Sequence, residues 1–349
     1  MVGDTLKALS KITIKGKVVD QNNNLQTGFN GVVYTTIYDK QSMIYNLVND
    51  ATGNDISLPD SFSLRKNILY KGKSSVTNGE FVCNFIVPKD INYQFGIGRL
   101  SYYAHDNLTD GNGYDEGIII GGLSTIGIND QVGPIINLFM NDENFTIGGM
   151  TNENPTIYAK LSDSSGINTV GNGIGHDITA ILDNNQQSVL VLNDYYESEL
   201  NSYQKGKVSY KLSDLSEGSH TLTLKAWDIN GNSSTSNTDF VVSNSSSLAL
   251  DHVLNYPNPF TTKTAFYFEH NKPCTGMSIQ VQIFTVSGKL IKTLSDYQVC
   301  DGYKNNPLTW DGKDDFGDII GKGAYIYRLK IRTADGETAE KIEKLVILH

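Results

Sequence analysis

Alternation of apolar and polar residues is the dominant pattern in this chain of 349 residues. Residues 12–20 show it, and residues 207–212 and 220–228 repeat it strictly. A period of two places successive side chains on opposite faces, as in a half-buried β-strand. Residues 31–38 and 81–87 are rich in β-branched and aromatic residues, which also favour strands. The pattern therefore predicts an all-β protein.

Turn and breaker residues divide the predicted strands into three segments. Residues 130–134 form a connector, because Pro134 cannot continue a strand ladder. The serine-rich residues 243–247 are typical of a flexible linker. Several short strands with regular turns favour immunoglobulin-like β-sandwiches. We therefore predict tandem domains, namely a β-sandwich with a long loop or insertion at 1–130, an immunoglobulin-like β-sandwich at 131–245 and a third β domain at 246–349.

Finer predictions follow from the same pattern. Residues 93–103 are predicted to form one strand, with bulges at Gly96 and Gly98. The weak pattern between residues 39 and 69 predicts the long loop of the first domain. In the third segment we expect strands over residues 264–269, 278–285, 324–331 and 339–348, with turns at 287–289, 311–312 and 335–336.

The charge of the chain is acidic, with 38 Asp and Glu against 28 Lys and Arg and a formal net charge of -10. An acidic body repels phosphate backbones, which argues against a nucleic-acid partner. No stretch approaches the roughly 20 apolar residues of a membrane-spanning helix. Asp4 and Lys7 interrupt the apolar run that a secretory signal would need, so we expect a fragment of a longer secreted protein.

The three cysteines form no CxxC pair, which excludes a zinc or thioredoxin-type site. Cys274 and Cys300 lie in one segment and are a candidate disulfide. Cys83 alternates with Val82 and Asn84 in a strand pattern and is interpreted as a small buried or half-buried hydrophobic residue. His270 lies near Cys274, but residues 271–273 predict a loop and no oxyanion-hole signature surrounds the thiol. No catalytic residue is predicted.

A weak calcium candidate occurs in the acidic, glycine-rich residues 110–116. Asp110, Asn112, Asp115 and Glu116 offer oxygen atoms of the kind that Ca²⁺ prefers. Tyr114 occupies the fifth position of that loop, and no glutamate follows at the twelfth. An acidic turn without a cofactor is therefore the preferred interpretation, with calcium as the alternative.

The third segment resembles the C-terminal sorting domain of type IX secretion substrates. The resemblance rests on five stretches in fixed order, at 256–260, 283–290, 310–312, 323–329 and 344–348. Similar patterns occur in unrelated immunoglobulin-like modules, which is the alternative. By this resemblance the expected partner-docking residues are Tyr256, Pro257, Asn258, Pro259, Phe260, Gly288, Lys289, Gly323, Tyr325, Tyr327, Lys344, Leu345, Val346, Ile347 and Leu348.

The rest of the chain resembles the region that follows the peptidase domain in type IX secretion sortases, which are related to gingipain cysteine peptidases. The matching stretches are residues 5–10, 152–155, 161–168, 173–180 and 192–196. The resemblance implies an outer-membrane-associated cysteine peptidase that removes sorting domains and helps attach cargo to lipopolysaccharide. Its C-terminal domain is expected to dock on a PorV-like outer-membrane barrel protein. The peptidase domain is missing here, so this chain is expected to be its non-catalytic, cell-surface portion.

Two other functions fit the same pattern. One is a stalk or adhesin of sandwich repeats exported by the same route. The other is a carbohydrate-binding module, in which Trp227 or Trp310 would stack on sugars. Trp227 lies in an alternating strand and is predicted to belong to the core, whereas Trp310 precedes an Asp-Gly turn and is open to either interpretation.

Overall fold

A computed structural model describes residues 5–46, 60–65, 67–126, 130–169, 175–243, 248–272, 276–299 and 302–348. The chain divides into two compact units, which are described separately. The first comprises Met1–Asn137, Ala159–Ser209 and Thr223–Ser236. The second comprises Leu138–Tyr158, Tyr210–Leu222 and Asn237–His349. The three-domain division of the sequence remains a prediction.

Strands account for nearly all regular structure in the described residues, and one 3-10 turn at Asn193–Tyr195 is the exception. The all-β class predicted from the sequence is thereby confirmed. The strands of the N-terminal part are β1 (Leu6–Ala8), β2 (Lys11–Lys17), β3 (Gly31–Tyr38), β4 (Ser42–Tyr45), β5 (Ser61–Leu64), β6 (Ile68–Thr77), β7 (Glu80–Ile86), β8 (Gly96–Ile97), β9 (Arg99–His105), β10 (Asp110–Asp115) and β11 (Ile119–Leu123).

Strands continue through the middle and C-terminal parts of the chain. The middle strands are β12 (Ile135–Met140), β13 (Met150–Thr151), β14 (Thr156–Ser162), β15 (Thr179–Leu182), β16 (Val189–Val191), β17 (Tyr196–Ser198), β18 (Lys205–Lys211), β19 (Gly218–Trp227) and β20 (Ser233–Val242). The C-terminal strands are β21 (Leu250–Tyr256), β22 (Thr264–His270), β23 (Gly276–Thr285), β24 (Leu290–Val299), β25 (Leu308–Trp310), β26 (Gly323–Thr333) and β27 (Thr338–Ile347).

The first unit contains an antiparallel six-stranded sheet in the order β10-β9-β3-β6-β7-β2. A three-stranded sheet, β1-β11-β8, pairs β1 in parallel with β11. Alternation directs Val33, Thr35 and Ile37 of β3 inward. Ile37 packs with Phe85 and Ile120 in a buried cluster. Burial of such side chains is the main source of stability in these sheets.

Two predictions for the first unit are corrected by the structure. Residues 93–103 do not form one strand, because the chain changes sheets at Gly98 between β8 and β9. A Cβ on Gly98 would meet Ile120 Cδ1 and lie 2.9 Å from the main-chain oxygen of Tyr38, so a larger residue would force a shift at this crossing. The predicted long loop at residues 39–69 contains the antiparallel pair of β4 and β5, and residues 47–59 and 66 lie outside the described residues.

The middle strands form two sheets in the orders β12-β14-β18-β17 and β13-β20-β19-β15-β16. In β19 the even-numbered residues Leu222, Leu224 and Ala226 are buried. Trp227 therefore lies on the opposite face and is only half-buried, so its prediction as a core residue is wrong. Its ring is covered by His176, with ring centroids 4.1 Å apart, and by Lys225, whose Nζ lies 4.2 Å from the Trp227 centroid.

The second unit includes a four-stranded antiparallel sheet, β24-β23-β26-β27, and a three-stranded sheet, β21-β22-β25. Their inward side chains form one apolar cluster, which includes Phe266, Val281, Tyr327 and Leu345. Phe266 packs edge-on against Tyr327, with ring centroids 4.9 Å apart. The core of this unit holds β27 in place as the edge strand of its sheet.

Candidate docking site

Strand β27 contains four of the five terminal residues that the sorting-domain resemblance singles out. Leu345 and Ile347 are buried in the core, whereas Lys344 and Val346 alternate with them on the outer face. Leu348 follows the strand and is exposed. One edge of β27 pairs with β26, from Ile347 opposite Gly323 to Thr338 opposite Arg332. The other edge is available for further main-chain bonds.

Residues 256–260, hereafter the clasp, lie against that second edge. Asn258 donates from Nδ2 to the carbonyl of Lys344 (3.0 Å), and its Oδ1 accepts from the amide of Val346 (2.9 Å). The amide of Phe260 donates to the carbonyl of Val346 (3.1 Å), and its carbonyl accepts from Leu348 (2.9 Å). The structure therefore joins two sequence stretches that lie more than 80 residues apart.

Buried residues hold the clasp in position. Phe260 enters the core, where its ring meets Trp310 at a centroid distance of 5.6 Å. The hydroxyl of Thr264 donates to the carbonyl of Pro257 (2.8 Å) and accepts from Nδ2 of Asn255 (3.0 Å). The peptide bonds before Pro257 and Pro259 are cis. Asn255 and Thr264 carry no recognisable signal in the sequence, because only their contacts in the folded chain reveal this support.

Three other predicted residues lie beside β27. Gly323, Tyr325 and Tyr327 of β26 are opposite Ile347, Leu345 and Glu343. The hydroxyl of Tyr325 donates to the carbonyl of Gly321 (2.7 Å). Tyr327 is fully buried, and burial raises the pKa of its phenol above the usual value. Tyr327 therefore supports the terminal strand from within the core.

Gly288 and Lys289 occupy a tight turn between β23 and β24. The φ of +87° at Gly288 requires glycine-like backbone freedom. Two main-chain hydrogen bonds close the turn. The amide of Gly288 donates to the carbonyl of Thr285 (2.9 Å), and the amide of Thr285 donates to the carbonyl of Lys289 (2.9 Å). Across the described part of the second unit, no hydrogen bond or ion pair joins this turn to the clasp. The two motifs are therefore separate in the fold.

The clasp covers only the last part of the β27 edge. Lys344, Val346 and Leu348 bond the clasp through their main-chain groups. Successive residues of an antiparallel strand direct their main-chain groups to opposite edges, so the even-numbered residues of β27 face the clasp edge and the odd-numbered ones face β26. Thr338, Glu340 and Ile342 therefore direct their amides and carbonyls to the same edge. All three residues are exposed, and 61% of Ile342 is accessible. An exposed edge of this kind can accept an added strand from a partner.

The cysteine predictions have different outcomes. Cys83 is buried, with 1% of its surface exposed, which confirms its interpretation as a core residue. Burial raises the pKa of its thiol above the usual value. Cys274 and Cys300 lie outside the described residues, so their disulfide stays a prediction.

The weak calcium candidate is not a loop. Asp110 to Asp115 form β10, paired with β9 along its whole length, so the preferred interpretation as a turn is also wrong. Asn112 lies opposite Tyr103 in this pairing. Glu116 instead forms ion pairs with Arg65 (3.2 Å) and Arg99 (3.6 Å).

A group of three aspartates occurs elsewhere in the first unit. Asp130, Asp163 and Asp228 offer oxygen atoms within 4.8 Å of one another. Each carboxylate also accepts local main-chain donors, including Val132, Ser165 and Asn232 respectively. Burial raises the pKa of Asp228, and the Asp163 carboxylate adds to that rise. Asp228 also accepts the amides of Asn230 and Asn232 in the turn that follows it.

No family model matches the chain, and no curated protein matches it. The chain is similar to the crystal structure of dimeric latent PorU from Porphyromonas gingivalis, at 29% identity and a TM-score of 0.42. That similarity covers 99% of this chain and 32% of the PorU chain, so this chain spans roughly a third of its length. The likeness is therefore to one part of PorU.

Two further similar structures are modular proteins. The fibronectin(III)-like modules of Clostridium thermocellum CbhA are 9% identical, with 61% of this chain and 93% of that chain covered and a TM-score of 0.24. A bacterial ice-binding adhesin is 12% identical, with 98% and 93% covered and a TM-score of 0.21. All three superpositions have TM-scores below 0.5.

The position of Trp310 bears on the carbohydrate-binding alternative. Trp310 is 2% exposed, and its indole Nε1 donates to the carbonyl of Lys313 (2.8 Å), so its ring presents no face to a sugar. It therefore belongs to the core. The described residues include no helix with the length and apolar character needed to cross a membrane.

Proposed function

We propose that this chain is the C-terminal, non-catalytic portion of a secreted, surface-anchored sortase related to PorU. Its last β domain would dock the protein to the outer-membrane attachment complex, where a PorV-like barrel is the expected partner. The preceding β domains would support the peptidase domain of the whole protein. The order of the sorting-domain motifs in the sequence motivates this proposal.

The meeting of two of those motifs in one sheet is the observation that supports the proposal best. The clasp bonds the end of β27 through Asn258 and Phe260. Nothing in the sequence motif at 256–260 or in the one at 344–348 by itself requires the two to pair. The clasp and the terminal strand form one structural element, as expected if a partner recognises them together. The neighbouring edge at Thr338, Glu340 and Ile342 supplies main-chain donors and acceptors for such a partner.

Proline at position 342 provides a direct test. The amide of Ile342 faces the outer edge, so Ile342→Pro would remove an edge donor and leave the β26 ladder intact. In the full-length protein expressed in its native host, we expect this variant to lose surface retention. Cell fractionation and surface labelling of a tagged protein would measure the loss. Deletion of residues 344–349 should have the same effect.

A matched control separates docking from folding. Lys341→Pro removes a donor on the edge that pairs with β26, so it should destabilise the domain itself. Circular dichroism and protease resistance should therefore distinguish the two proline variants. A folded Ile342→Pro protein that stays on the cell surface at the wild-type level would count against docking through this edge.

A further inference from the structure

Three aromatic rings lie together on the outer face of the six-stranded sheet. The inward residues of β3 are odd-numbered, so Tyr34 points outward, and the register places Tyr103 of β9 opposite it. His105 follows on the same face, two residues along β9. We call these residues, Tyr34, Tyr103 and His105, the aromatic platform. They belong to the first unit, remote in sequence from the clasp.

The rings of the platform form one continuous surface. Tyr34 stacks with His105 at a centroid distance of 5.9 Å and an interplanar angle of 18°. Tyr103 lies 6.3 Å from Tyr34 and 6.0 Å from His105. Tyr34 is 38% exposed and Tyr103 45% exposed. Large side chains this exposed contribute little to the core, so their rings are accessible to a ligand.

Polar groups border the platform on both sides. On β10, Asp110 is opposite His105 and Asn112 is opposite Tyr103. On β6, Lys73 is opposite Tyr34 and forms an ion pair with Glu197. A carboxylate and an amide at one side can accept and donate hydrogen bonds to hydroxyl groups. The face therefore combines exposed π surfaces with a few fixed polar groups, as ligand sites do.

This chemistry matches a neutral sugar better than other ligands. The C–H face of a pyranose ring is apolar and weakly positive, so it packs on the negative face of an aromatic ring. Its equatorial hydroxyls extend sideways toward groups such as Asp110 and Asn112. Nucleobases also stack on aromatic rings, but a chain with a net charge of -10 repels their phosphates.

We propose that the aromatic platform binds a chain of neutral pyranose residues, with Tyr34 and Tyr103 as the stacking rings. Asp110 and Asn112 act as hydroxyl partners that fix the orientation of the sugar. This binding is independent of the docking role proposed for β27, because it uses a different unit of the chain. Each proposal can therefore fail without the other.

Binding to an array of neutral glucan, mannan and galactan oligosaccharides tests the platform, with titration calorimetry on each positive glycan. We expect the Tyr34→Ala/Tyr103→Ala double variant to bind at least tenfold more weakly than wild type. Tyr34→Phe/Tyr103→Phe keeps both rings and should retain most of the affinity. Tyr297→Ala is a matched control, because Tyr297 is an exposed tyrosine of β24, in the second unit and outside the sheet that carries the platform.

Three results would overturn the proposal. Wild-type protein that binds none of the neutral oligosaccharides at millimolar concentration is the first. The second is a double variant that folds normally and binds its glycan with unchanged affinity. The third is tighter binding of a single-stranded oligothymidylate probe than of any glycan, which would assign the platform to nucleic acid.

Discussion

Burial controls the ionisation of His270, the last residue of β22. Its side chain is fully buried, and loss of water around the charged ring lowers its pKa from 6.5 to about 4. Between these values the unfolded chain binds more protons at this site than the folded chain. The free energy of unfolding therefore decreases as the pH falls from 6.5 towards 4, and this contribution levels off below pH 4.

The variant His270→Gln has no titrating ring and should lack this pH dependence. The wild-type protein should lose about 3 kcal/mol more than the variant between pH 7 and pH 4, from about 1.4 kcal/mol per unit of pKa difference. Urea titrations of both proteins at several pH values would measure it. If the free energy of unfolding changed with pH equally in both proteins, His270 would take up a proton as easily in the folded chain as in the unfolded chain.

At the scale of single elements, the side chain of Asn258 makes two hydrogen bonds to the outer edge of β27. Asn258→Ala removes two hydrogen bonds to the strand, each worth about 0.5–1.5 kcal/mol. We expect a loss of about 1–3 kcal/mol and faster hydrogen exchange at the amides of Val346 and Leu348. Asn258→Asp keeps the acceptor for Val346 but places a carboxylate oxygen against the carbonyl of Lys344, so it should not restore the wild-type stability.

Hydrogen exchange must distinguish local opening from general destabilisation. The amides of Val281 and Ile279 in the central strand β23 provide the internal reference, because their exchange should change little in Asn258→Ala. Equal acceleration at β23 and β27 would mean that the clasp contributes to the whole domain and not to its edge.

Local pattern predicted many of the strands but not their partners. Alternation in residues 12–17 and 220–227 was sufficient to place β2 and β19, because a period of two is a property of neighbouring residues. The pairing of β10 with β9 was missed, since Asp110 to Asp115 carry glycine and acidic residues that are typical of turns. Tertiary pairing overrode that local preference.

The same limit applies to the candidate site. The motif at 256–260 and the strand at 344–348 were both singled out from the sequence, but no periodicity indicates that Asn258 reaches Val346. Asn255 and Thr264 gave no signal, because a polar residue in a strand acquires its role only through contacts in the fold. Trp227 was misassigned because alternation gives the two faces of a strand but not which one is buried.

At the scale of the whole molecule, each unit has apolar clusters of its own. One cluster includes Phe85 and Ile37 in the first unit, and another includes Phe266 and Val281 in the second. These two clusters share no residue. We therefore expect a large-to-small change in one cluster to weaken mainly the strands that enclose it.

Two matched variants test this expectation. Phe266→Ala and Phe85→Ala each remove a fully buried ring and should each cost about 3–5 kcal/mol. Hydrogen exchange should accelerate at β23 and β26 in Phe266→Ala, and at β2 and β7 in Phe85→Ala. If either variant accelerated both sets of strands equally, the two clusters would unfold as one cooperative unit.

The separation of 86 to 88 residues between Asn258 and its partners on β27 has a consequence for biosynthesis. On a ribosome the clasp emerges long before the strand that completes it, and so large a closing distance slows its formation. Throughout that interval the side-chain amide of Asn258 and the main-chain groups of Phe260 have no terminal strand to bond. A product cut short before Lys344 would keep them open indefinitely, and quality-control proteases that recognise unpaired strands could use this difference to discard incomplete copies.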